Sequence, residues 1–430
     1  MSLTAARLGL DALPPVEERA ALPGGFAVGA ATAGIKASGR PDVAVVSVTT
    51  PTPAAAAATF TTNLLAAAPV RLSRANLSAS GGLARGVLVT SGCANAATGA
   101  AGEADQARVG ETLAAALGCP PAETLLAATG LIGPRLPVAR IEAAIRGLVP
   151  AGLTTAEAGL EAAAGAILTT DTRVKLATTT IALPTDDGSL RQIRVSGFAK
   201  GVGMIHPRMA TLIAVVLTDA AAPPELLGGL LREAVGATFD QLSVDGDTST
   251  NDTVVLLASG ASDTLPLRAR SQDRAAFAAA LAAVCRSLAR QQAADGEGAT
   301  TLLTCRTVGA ADLADARAVA RAVVSSNLVK AAVHGRDPNW GRIASAAGAA
   351  RRPDGTPVAL DPARLVIALA GKPVFGAGGP LAFEREAVAG AMATAELVVD
   401  LDLGQGEAAA EAWGCDLSEA YVRENAAYST

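Results

Sequence analysis

Histidine is almost absent from this 430-residue sequence, which contains only His206 and His334. It has no HExxH motif and no cluster of histidine with cysteine, which argues against a catalytic transition metal. Nucleotide motifs are missing too, because the GK pair leads into Pro373 instead of a P-loop threonine and the GVG segment lacks the third glycine of a dinucleotide fingerprint. No GxSxG elbow occurs. Hydrolase-type chemistry would therefore need a nucleophile that carries its own base, as an N-terminal threonine does.

Aromatic residues make up only 3% of the chain, which leaves little surface for stacking on bases. The net charge of −5 gives no basic footprint for nucleic acid or for an anionic membrane. The five cysteines are odd in number and form no CxxC pair, so we expect neither a disulfide framework nor a zinc site. The composition thus predicts no nucleic-acid partner, no metal and no cofactor.

Long apolar runs are also missing. No segment reaches the roughly 18 uncharged residues that a bilayer crossing needs, because Asp219 interrupts the longest candidate. The first 25 residues contain early acidic residues and no apolar segment of the kind found in export signals. We therefore predict a protein without a membrane span, located in the cytoplasm.

The most informative stretch is AKGVGMIHPRMATLIAVVLTDA, residues 199–220, where a glycine-loosened polar segment runs into an apolar run. The run at 212–217 is rich in β-branched residues without polar alternation, which predicts a strand buried on both faces. Pro207 and the preceding glycines predict a bent loop before it. Thr211 is the one hydroxyl at the junction. A threonine there is ordinarily a plain strand residue, so the rest of the chain decides its role.

The remaining pattern predicts alternating strands and helices after a loose lead-in at 1–25. A strand is predicted at 42–50, strand-and-loop units are predicted at 61–73 and at 86–99, the second ending in small and hydroxyl residues, and strands are predicted in the tail from 361. Helices are predicted at 102–117, 137–147, 155–166, 274–292 and 311–331.

Two polar segments raise questions of chemistry. Thr129 and Gly130 end an apolar strand, and a hydroxyl beside a freed backbone N–H is a plausible oxyanion-binding pair, although a tight turn explains them equally well. The spacing of Asp245 and Asp247 is similar to that of a calcium loop, but Thr250 stands where such a loop needs glycine. We therefore reject an EF-hand.

Taken together, seven segments resemble the self-cleaving ornithine acetyltransferase family, also called glutamate N-acetyltransferase, of the arginine pathway. The segments, in chain order, are ATGLIG, TTDT, KGVGMIHPRMAT, VDGDTSTNDTV, DGEGAT, HGRDPNWGRI and the terminal NAAYST. Each is weak alone, but their order and separations match the family from about Gly34 to Thr430. The resemblance implies a layered α-β-β-α sandwich of the α/β class, of the ornithine acetyltransferase and aminopeptidase DmpA-like type, with a smaller C-terminal lobe.

The resemblance also implies autocatalytic cleavage between Ala210 and Thr211. A lead-in at 1–25 and an α chain at 26–210 would precede a β chain at 211–430. Thr211 would become the nucleophile, since a freed α-amine with a pKa of about 7.7 to 8.0 can accept its hydroxyl proton near neutral pH. Two copies of each chain are expected to assemble into a heterotetramer.

Further roles follow from the family motifs. Thr129 and Gly130 would stabilise the oxyanion, one through its hydroxyl and the other through its backbone N–H. The positions that match substrate-binding residues of the family are Thr169, Lys200, Thr211, Glu297, Asn425 and Thr430. The implied reaction moves an acetyl group from N2-acetylornithine to glutamate through an acetyl-threonine, by a ping-pong mechanism. The resemblance leaves open whether acetyl-CoA is a second donor, which would add an amino-acid N-acetyltransferase activity.

Some positions depart from the family pattern. Thr90 and Cys93 stand where asparagines are more usual, and Thr301 stands where lysine is usual. These differences bear on substrate preference, so an amidohydrolase or a related acyl-amino-acid transferase of secondary metabolism using Thr211 remains an alternative. A noncatalytic amino-acid-binding protein that is never cleaved is the rival from another class.

Overall fold

The structure, a computed structural model, describes residues 6–206, 212–268 and 271–427. The apolar run at 212–217, which begins the second described range, lies in the middle of the central sheet. This run forms strand β9, and the prediction of a strand buried on both faces is confirmed, because every residue of β9 is buried. Ile213, Val215 and Leu217 face one hydrophobic core, whereas Ala214 and Val216 face another. Alternate side chains thus leave this strand no solvent-exposed face.

Six strands make up the central sheet, in the order β4-β3-β10-β9-β8-β7. They are β3 (Ala54–Phe60), β4 (Leu83–Ala84), β7 (Lys175–Pro184), β8 (Leu190–Lys200), β9 (Ile213–Thr218) and β10 (Thr253–Ala258). The strands β9 and β10 run parallel to each other, and each has an antiparallel neighbour on its other side. Two strands that follow residue 210, β9 and β10, therefore lie between two pairs of strands that precede it.

A second sheet of four strands has the order β1-β2-β5-β6. Its members are β1 (Phe26–Ala31), β2 (Val43–Val48), β5 (Gly86–Cys93) and β6 (Thr124–Leu131). Only β5 and β6 run parallel, and their carboxyl ends lie side by side with Thr129 opposite Ser91 and Gly130 opposite Gly92. The end of this parallel pair is one wall of the site described below.

The two sheets pack face to face between helices. One core lies between the sheets and includes Val46, Phe198 and Val255. The outer face of the four-stranded sheet packs on α2 and α3, and the outer face of the central sheet packs on α5 and α6. The helices of this part are α1 (Ala68–Ala79), α2 (Gly99–Leu117), α3 (Val138–Leu148), α4 (Glu157–Ala166), α5 (Pro224–Ala237) and α6 (Gln272–Ala294). The predicted α-β-β-α layering is confirmed.

The C-terminal lobe is built on a third sheet with the order β14-β13-β12-β15-β11-β16. Its strands are β11 (Leu302–Ala310), β12 (Val366–Leu369), β13 (Lys372–Gly376), β14 (Gly379–Pro380), β15 (Glu396–Asp402) and β16 (Ala408–Cys415). Its helices are α7 (Leu313–Ser325), α8 (Asn327–His334), α9 (Trp340–Gly348), α10 (Arg385–Ala391) and α11 (Glu419–Ala427). Trp340 packs on Phe375 with ring centroids 5.1 Å apart. Trp413, only 1% exposed, joins the core beneath α6 and so ties the lobe to the layers.

Three predictions about elements are wrong. The strand-and-loop unit predicted at 61–73 is instead a loop followed by helix α1, which begins at Ala68 with a proline in its first turn. The helix predicted at 311–331 is two helices, because Ser326 adopts an extended conformation and its hydroxyl caps α8 by accepting the Val329 N–H. The lead-in is not loose where the structure describes it. Glu17 pairs with Thr178 beside β7, Ala20 and Ala21 are buried, and a 3-10 turn covers Leu10–Ala12.

Other 3-10 turns cover Pro121–Glu123 and Phe239–Gln241. Of the helices in the described ranges, none combines the length and apolar character that a bilayer crossing would require.

Candidate active site

A cavity of about 180 Å³ lies where the carboxyl ends of β6 and β8 approach the turn after α6 and the last helix, α11. Every predicted site residue that the structure describes lines it. These residues are Thr129, Gly130, Thr169, Lys200, Glu297 and Asn425. They come from five separate stretches of the chain, which only the tertiary fold brings together. The remaining predicted site residues, Ala210, Thr211 and Thr430, lie outside the described residues.

The glycine at 130 is required by the approach of β5. Its backbone φ is +122°, a conformation that other residues rarely adopt, and an added Cβ would lie 2.3 Å from the carbonyl carbon of Gly92. Thr129, directly before it, is only 2% exposed. The close packing of two parallel strand ends thus fixes the hydroxyl of one residue and the backbone of the next at the cavity wall.

Lys200, the last residue of β8, is only 3% exposed although it lines the cavity. Its Nζ donates to Thr129 Oγ1 at 3.2 Å and lies 3.9 Å from Asp171 Oδ2. Burial lowers the pKa of this lysine, and the Asp171 carboxylate opposes that effect. The Lys200 backbone carbonyl accepts from Gln292 Nε2 at 2.7 Å, which fixes the strand end on α6.

Behind Lys200 lies a buried group of charges that the sequence did not reveal. Lys175 is fully buried and donates to Asp171 at 2.7 Å and to Asp295 at 2.6 Å. Asp171 also accepts the Gly201 N–H at 2.8 Å. Burial alone would raise the pKa of Asp171, but Lys200, Lys175 and this N–H hold the pKa below its ordinary value. Two carboxylates and two ammonium groups therefore balance each other beneath the cavity floor.

Glu297 adds a negative charge to the cavity wall. Its Oε1 accepts from Thr170 Oγ1 at 2.8 Å and its Oε2 accepts from Asn425 Nδ2 at 2.9 Å. Its own N–H donates to Val202 O at 2.9 Å. A Cβ on Gly203 would lie 2.3 Å from a Glu297 oxygen, so a larger residue there would force this carboxylate to move. Hydrogen bonds thus hold both the backbone and the side chain of Glu297 in place.

The segment at 245–251, where the spacing of two aspartates is similar to that of a calcium loop, also lines the cavity. Asp245, Asp247, Ser249, Thr250 and Asn251 all line the cavity. The Asp245 carboxylate accepts the backbone N–H groups of Met204 and Ile205, the latter at 2.8 Å. Asn251 Nδ2 donates to Ala94 O at 2.7 Å and to Ala128 O at 2.9 Å. The Asp245 carboxylate thus holds the backbone at Met204 and Ile205, and Asn251 holds the four-stranded sheet.

Residues near both ends of 207–211 connect to the cavity. Before the gap, Met204 lines it. After the gap, the Leu212 N–H donates to Asp252 Oδ1 at 2.9 Å, and Asp252 follows the cavity residue Asn251. Burial raises the pKa of Asp252 well above its ordinary value, although the Leu212 N–H and Lys200 oppose this.

Several residues singled out in the sequence lie elsewhere. Thr90 and Cys93 are buried in or at the end of β5, and only Ala94 of that loop lines the cavity. His206 Nδ1 lies 3.3 Å from Ser243 Oγ and His334 Nδ1 lies 2.8 Å from Asp416 Oδ2, and neither is among the cavity residues. Within the described ranges, no three histidine, cysteine or acidic side chains form a group that could hold a metal ion.

The arrangement suits a small zwitterion beside an acyl group. The half-buried carboxylate of Glu297 could bind a cation, and the ammonium group of Lys200, which lines the same cavity, could bind an anion. The Thr129 hydroxyl and the Gly130 backbone lie at the wall where an oxyanion could be held. Sequence reasoning missed Asp171, Lys175 and Asp295 as supports of this site, since a charged side chain in a Thr-rich stretch ordinarily indicates an exposed surface.

Comparison with known proteins identifies the family. The chain matches the ArgJ family over residues 27–430. It is 46% identical over 409 residues to the arginine biosynthesis bifunctional protein ArgJ of Thermus thermophilus, covering 95% of this chain and 99% of that protein. It is 45% identical over 408 residues to the Deinococcus radiodurans protein of the same name, covering 95% and 97%.

Solved structures are similar over about half of the chain. The arginine biosynthesis bifunctional protein of Bacillus halodurans is 38% identical, with a TM-score of 0.47, and covers 50% of this chain and 98% of that one. The ornithine acetyltransferase of Mycobacterium tuberculosis, solved with ornithine, is 36% identical, with a TM-score of 0.40, and covers 46% and 98%. On the match over residues 27–430 and the near full-length relatives, this chain belongs to the ArgJ family.

Proposed function

We propose that this chain is a self-processing glutamate N-acetyltransferase of arginine biosynthesis, which moves an acetyl group from N2-acetylornithine to glutamate through Thr211. One observation carries the proposal. Six residues predicted from separate motifs line a single cavity, and the chain on both sides of 207–211 lies beside that cavity. A cut between Ala210 and Thr211 would release a new N-terminus one residue before Leu212, whose N–H binds the neighbour of the cavity residue Asn251.

The proposed processing begins with attack of the Thr211 hydroxyl on the Ala210 carbonyl carbon. The C–N bond breaks, the nitrogen takes the hydroxyl proton, and an ester joins the two segments. Water then hydrolyses this ester, which leaves a carboxylate on Ala210 and a free α-amine on Thr211. Before the cut this nitrogen is an amide and cannot act as a base, so processing switches the activity on.

In the proposed acetyl transfer, the α-amine accepts the hydroxyl proton as Thr211 Oγ attacks the acetyl carbonyl of N2-acetylornithine. The proton passes to the departing nitrogen, ornithine leaves, and the acetyl ester remains. The amine of glutamate then attacks this ester to give N-acetylglutamate. The Thr129 hydroxyl and the Gly130 N–H stabilise the oxyanion in both halves, and loss of one such donor typically raises the barrier by about 2.7 to 4 kcal/mol.

Substrate binding is proposed for Thr169, Lys200, Thr211, Glu297, Asn425 and Thr430, the positions that match the family. Glu297 suits the side-chain ammonium of ornithine because it is a half-buried carboxylate that lines the same cavity as Thr129 and Lys200. The proposal also includes acetyl-CoA as a second donor, assembly into a heterotetramer of two α and two β chains, and a cytoplasmic location. Acetyl-CoA turnover and light scattering test the first two.

The first experiment tests the nucleophile with Thr211→Ala and Thr211→Ser variants. Intact mass under denaturing conditions should show two fragments that meet at Ala210-Thr211 for the unaltered chain. It should show one full-length species for Thr211→Ala, and two fragments again, formed more slowly, for Thr211→Ser. Two fragments in the alanine variant would refute the assigned cut site.

The second experiment separates acyl transfer from hydrolysis. N2-acetylornithine consumption is measured with and without glutamate, and transfer predicts that glutamate raises the rate and becomes acetylated. Consumption at an unchanged rate without glutamate would select the amidohydrolase instead. An unaltered chain that stays full-length and only binds amino acids would select the binding-protein alternative.

A further inference from the structure

The contact between Lys200 and Thr129 assigns a second role to this lysine. A protonated lysine Nζ can only donate hydrogen bonds, so Thr129 Oγ1 accepts the bond of 3.2 Å. The hydroxyl hydrogen of Thr129 must then point away from Lys200. Among residues 6–206, 212–268 and 271–427, the structure gives this hydrogen no acceptor. The hydroxyl is thus left with a donor to offer at the cavity wall.

The position of Lys200 is itself fixed from three directions. Asp171 lies 3.9 Å from its Nζ, Gln292 holds its backbone carbonyl at 2.7 Å, and its side chain is only 3% exposed. Lys175 in turn holds Asp171 at 2.7 Å. A long side chain normally samples many rotamers, but this one is buried against its partners, so the hydrogen bond to Thr129 costs little further ordering.

We propose that Lys200 is a positioning residue that orients and polarises the Thr129 hydroxyl so that this hydroxyl donates to the oxyanion. The inference rests on the proposed function, since it takes Thr129 as an oxyanion donor. It differs from a carboxylate-binding role, in which Lys200 would contact the substrate and mainly affect its affinity. An ammonium group that donates to a hydroxyl also strengthens that hydroxyl as a donor to a third group.

The two roles predict different kinetic changes in a Lys200→Met variant. Orientation of Thr129 predicts that kcat falls by about 100-fold, because an interaction made only in the transition state is lost, whereas the substrate contact proposed above adds a rise in KM for N2-acetylornithine. A Lys200→Arg variant should recover part of kcat. A large rise in KM with kcat unchanged would overturn the inference and leave Lys200 with substrate binding alone.

A double-mutant cycle tests whether Lys200 acts through Thr129. Thr129→Val removes the hydroxyl but keeps the shape of the side chain. In this background, Lys200→Met should lower kcat by less than about 3-fold further, since residues that act as one unit are not additive. A full additional loss of about 100-fold would show that Lys200 acts independently and would overturn the inference.

Two controls keep the result interpretable. Lys36→Met removes a nearby positive charge whose Nζ binds Pro41 O at 2.9 Å and Ala166 O at 2.8 Å, and it should leave kcat unchanged. If Lys200→Met is cut too slowly for turnover to be assayed, its slow processing rate, followed by intact mass over time, replaces kcat in the same cycle. Failure of the proposed function would appear separately, as an unaltered chain that never cleaves or as a Thr211→Ala variant that still does.

Discussion

At the scale of single residues, two glycines shape the site by leaving space. Gly130 faces the backbone of Gly92, and Gly203 faces the Glu297 carboxylate. The sequence indicated Gly130 as a source of a backbone N–H, but the need for its missing Cβ depends on a strand almost forty residues away. Such a contact cannot be derived from local sequence, because the register of β5 against β6 decides it.

We predict that Gly130→Ala destabilises the protein by at least about 2 kcal/mol, because its strained backbone and its contact with Gly92 each cost free energy. Urea denaturation measures the loss. Gly133→Ala is the matched control: its φ is also positive, at +103°, but no atom lies within 4 Å of an added Cβ. It should show the cost of strain alone, and equal losses in both variants would contradict the role of the Gly92 contact.

The sequence predicted the residues that line the cavity better than those that support them. Thr129, Lys200 and Glu297 were identified through motifs and lie together as expected. Lys175 and Asp295 were missed, because their burial arises from the packing of β7 on α6 and not from any local pattern. A buried charge becomes recognisable only when its partner, here more than one hundred residues away, is known.

At the scale of elements, the two sheets meet at the cavity through one amide. Asn251, in the segment before β10, donates to Ala94 after β5 and to Ala128 within β6. Its carbonyl oxygen accepts from Thr250 Oγ1 at 2.6 Å. The side chain is 3% exposed, and both its N–H donors and its carbonyl oxygen have partners within the protein. The central sheet and the four-stranded sheet are thereby joined at the end where the site lies.

We expect Asn251→Asp to lower the free energy of unfolding by at least about 3 kcal/mol, since two buried carbonyl groups lose their donor and a carboxylate faces them instead. Chemical denaturation at neutral pH measures this. Asn76→Asp is the control, because Asn76 also donates to two carbonyls, Pro121 O and Thr124 O, but is only partly buried. It should cost much less, and a similar loss at both sites would show that burial is not the cause.

Element boundaries show where local pattern succeeds. Helix α2 ends at Leu117 with Gly118 in the left-handed conformation, as the glycine and the following proline predicted. The helix predicted at 311–331 failed because apolar spacing continues across Ser326 while the backbone does not. Periodicity reports which face is buried, but a cap within a periodic stretch can divide it into two helices with similar buried faces.

At the scale of the whole molecule, the proposed cut would fall between intertwined halves. Strand β9, which follows the cut, pairs with β8, which precedes it. Strand β10, which also follows the cut, pairs with β3, which precedes it. Layering and the C-terminal lobe were predictable from the family resemblance. This interleaving was not predictable from periodicity, because strand order depends on long-range pairing. The α and β chain boundaries themselves remain a prediction.

We predict that the two fragments stay together after processing, since separation would break two strand pairings and expose the cores on both faces of the central sheet. In native buffer they should co-elute from a sizing column at the volume of uncut Thr211→Ala, and only denaturant should separate them. Fragments that separate in native buffer would contradict this expectation.

The placement of Trp340 and Trp413, the only two tryptophans of the sequence, has a practical consequence. One packs within the C-terminal lobe and the other where that lobe meets the layers. Intrinsic fluorescence excited at the indole band would therefore report on the lobe and its junction, and would be nearly blind to loosening of the four-stranded sheet. An emission change that precedes the loss of far-ultraviolet circular dichroism would reveal a lobe that melts first.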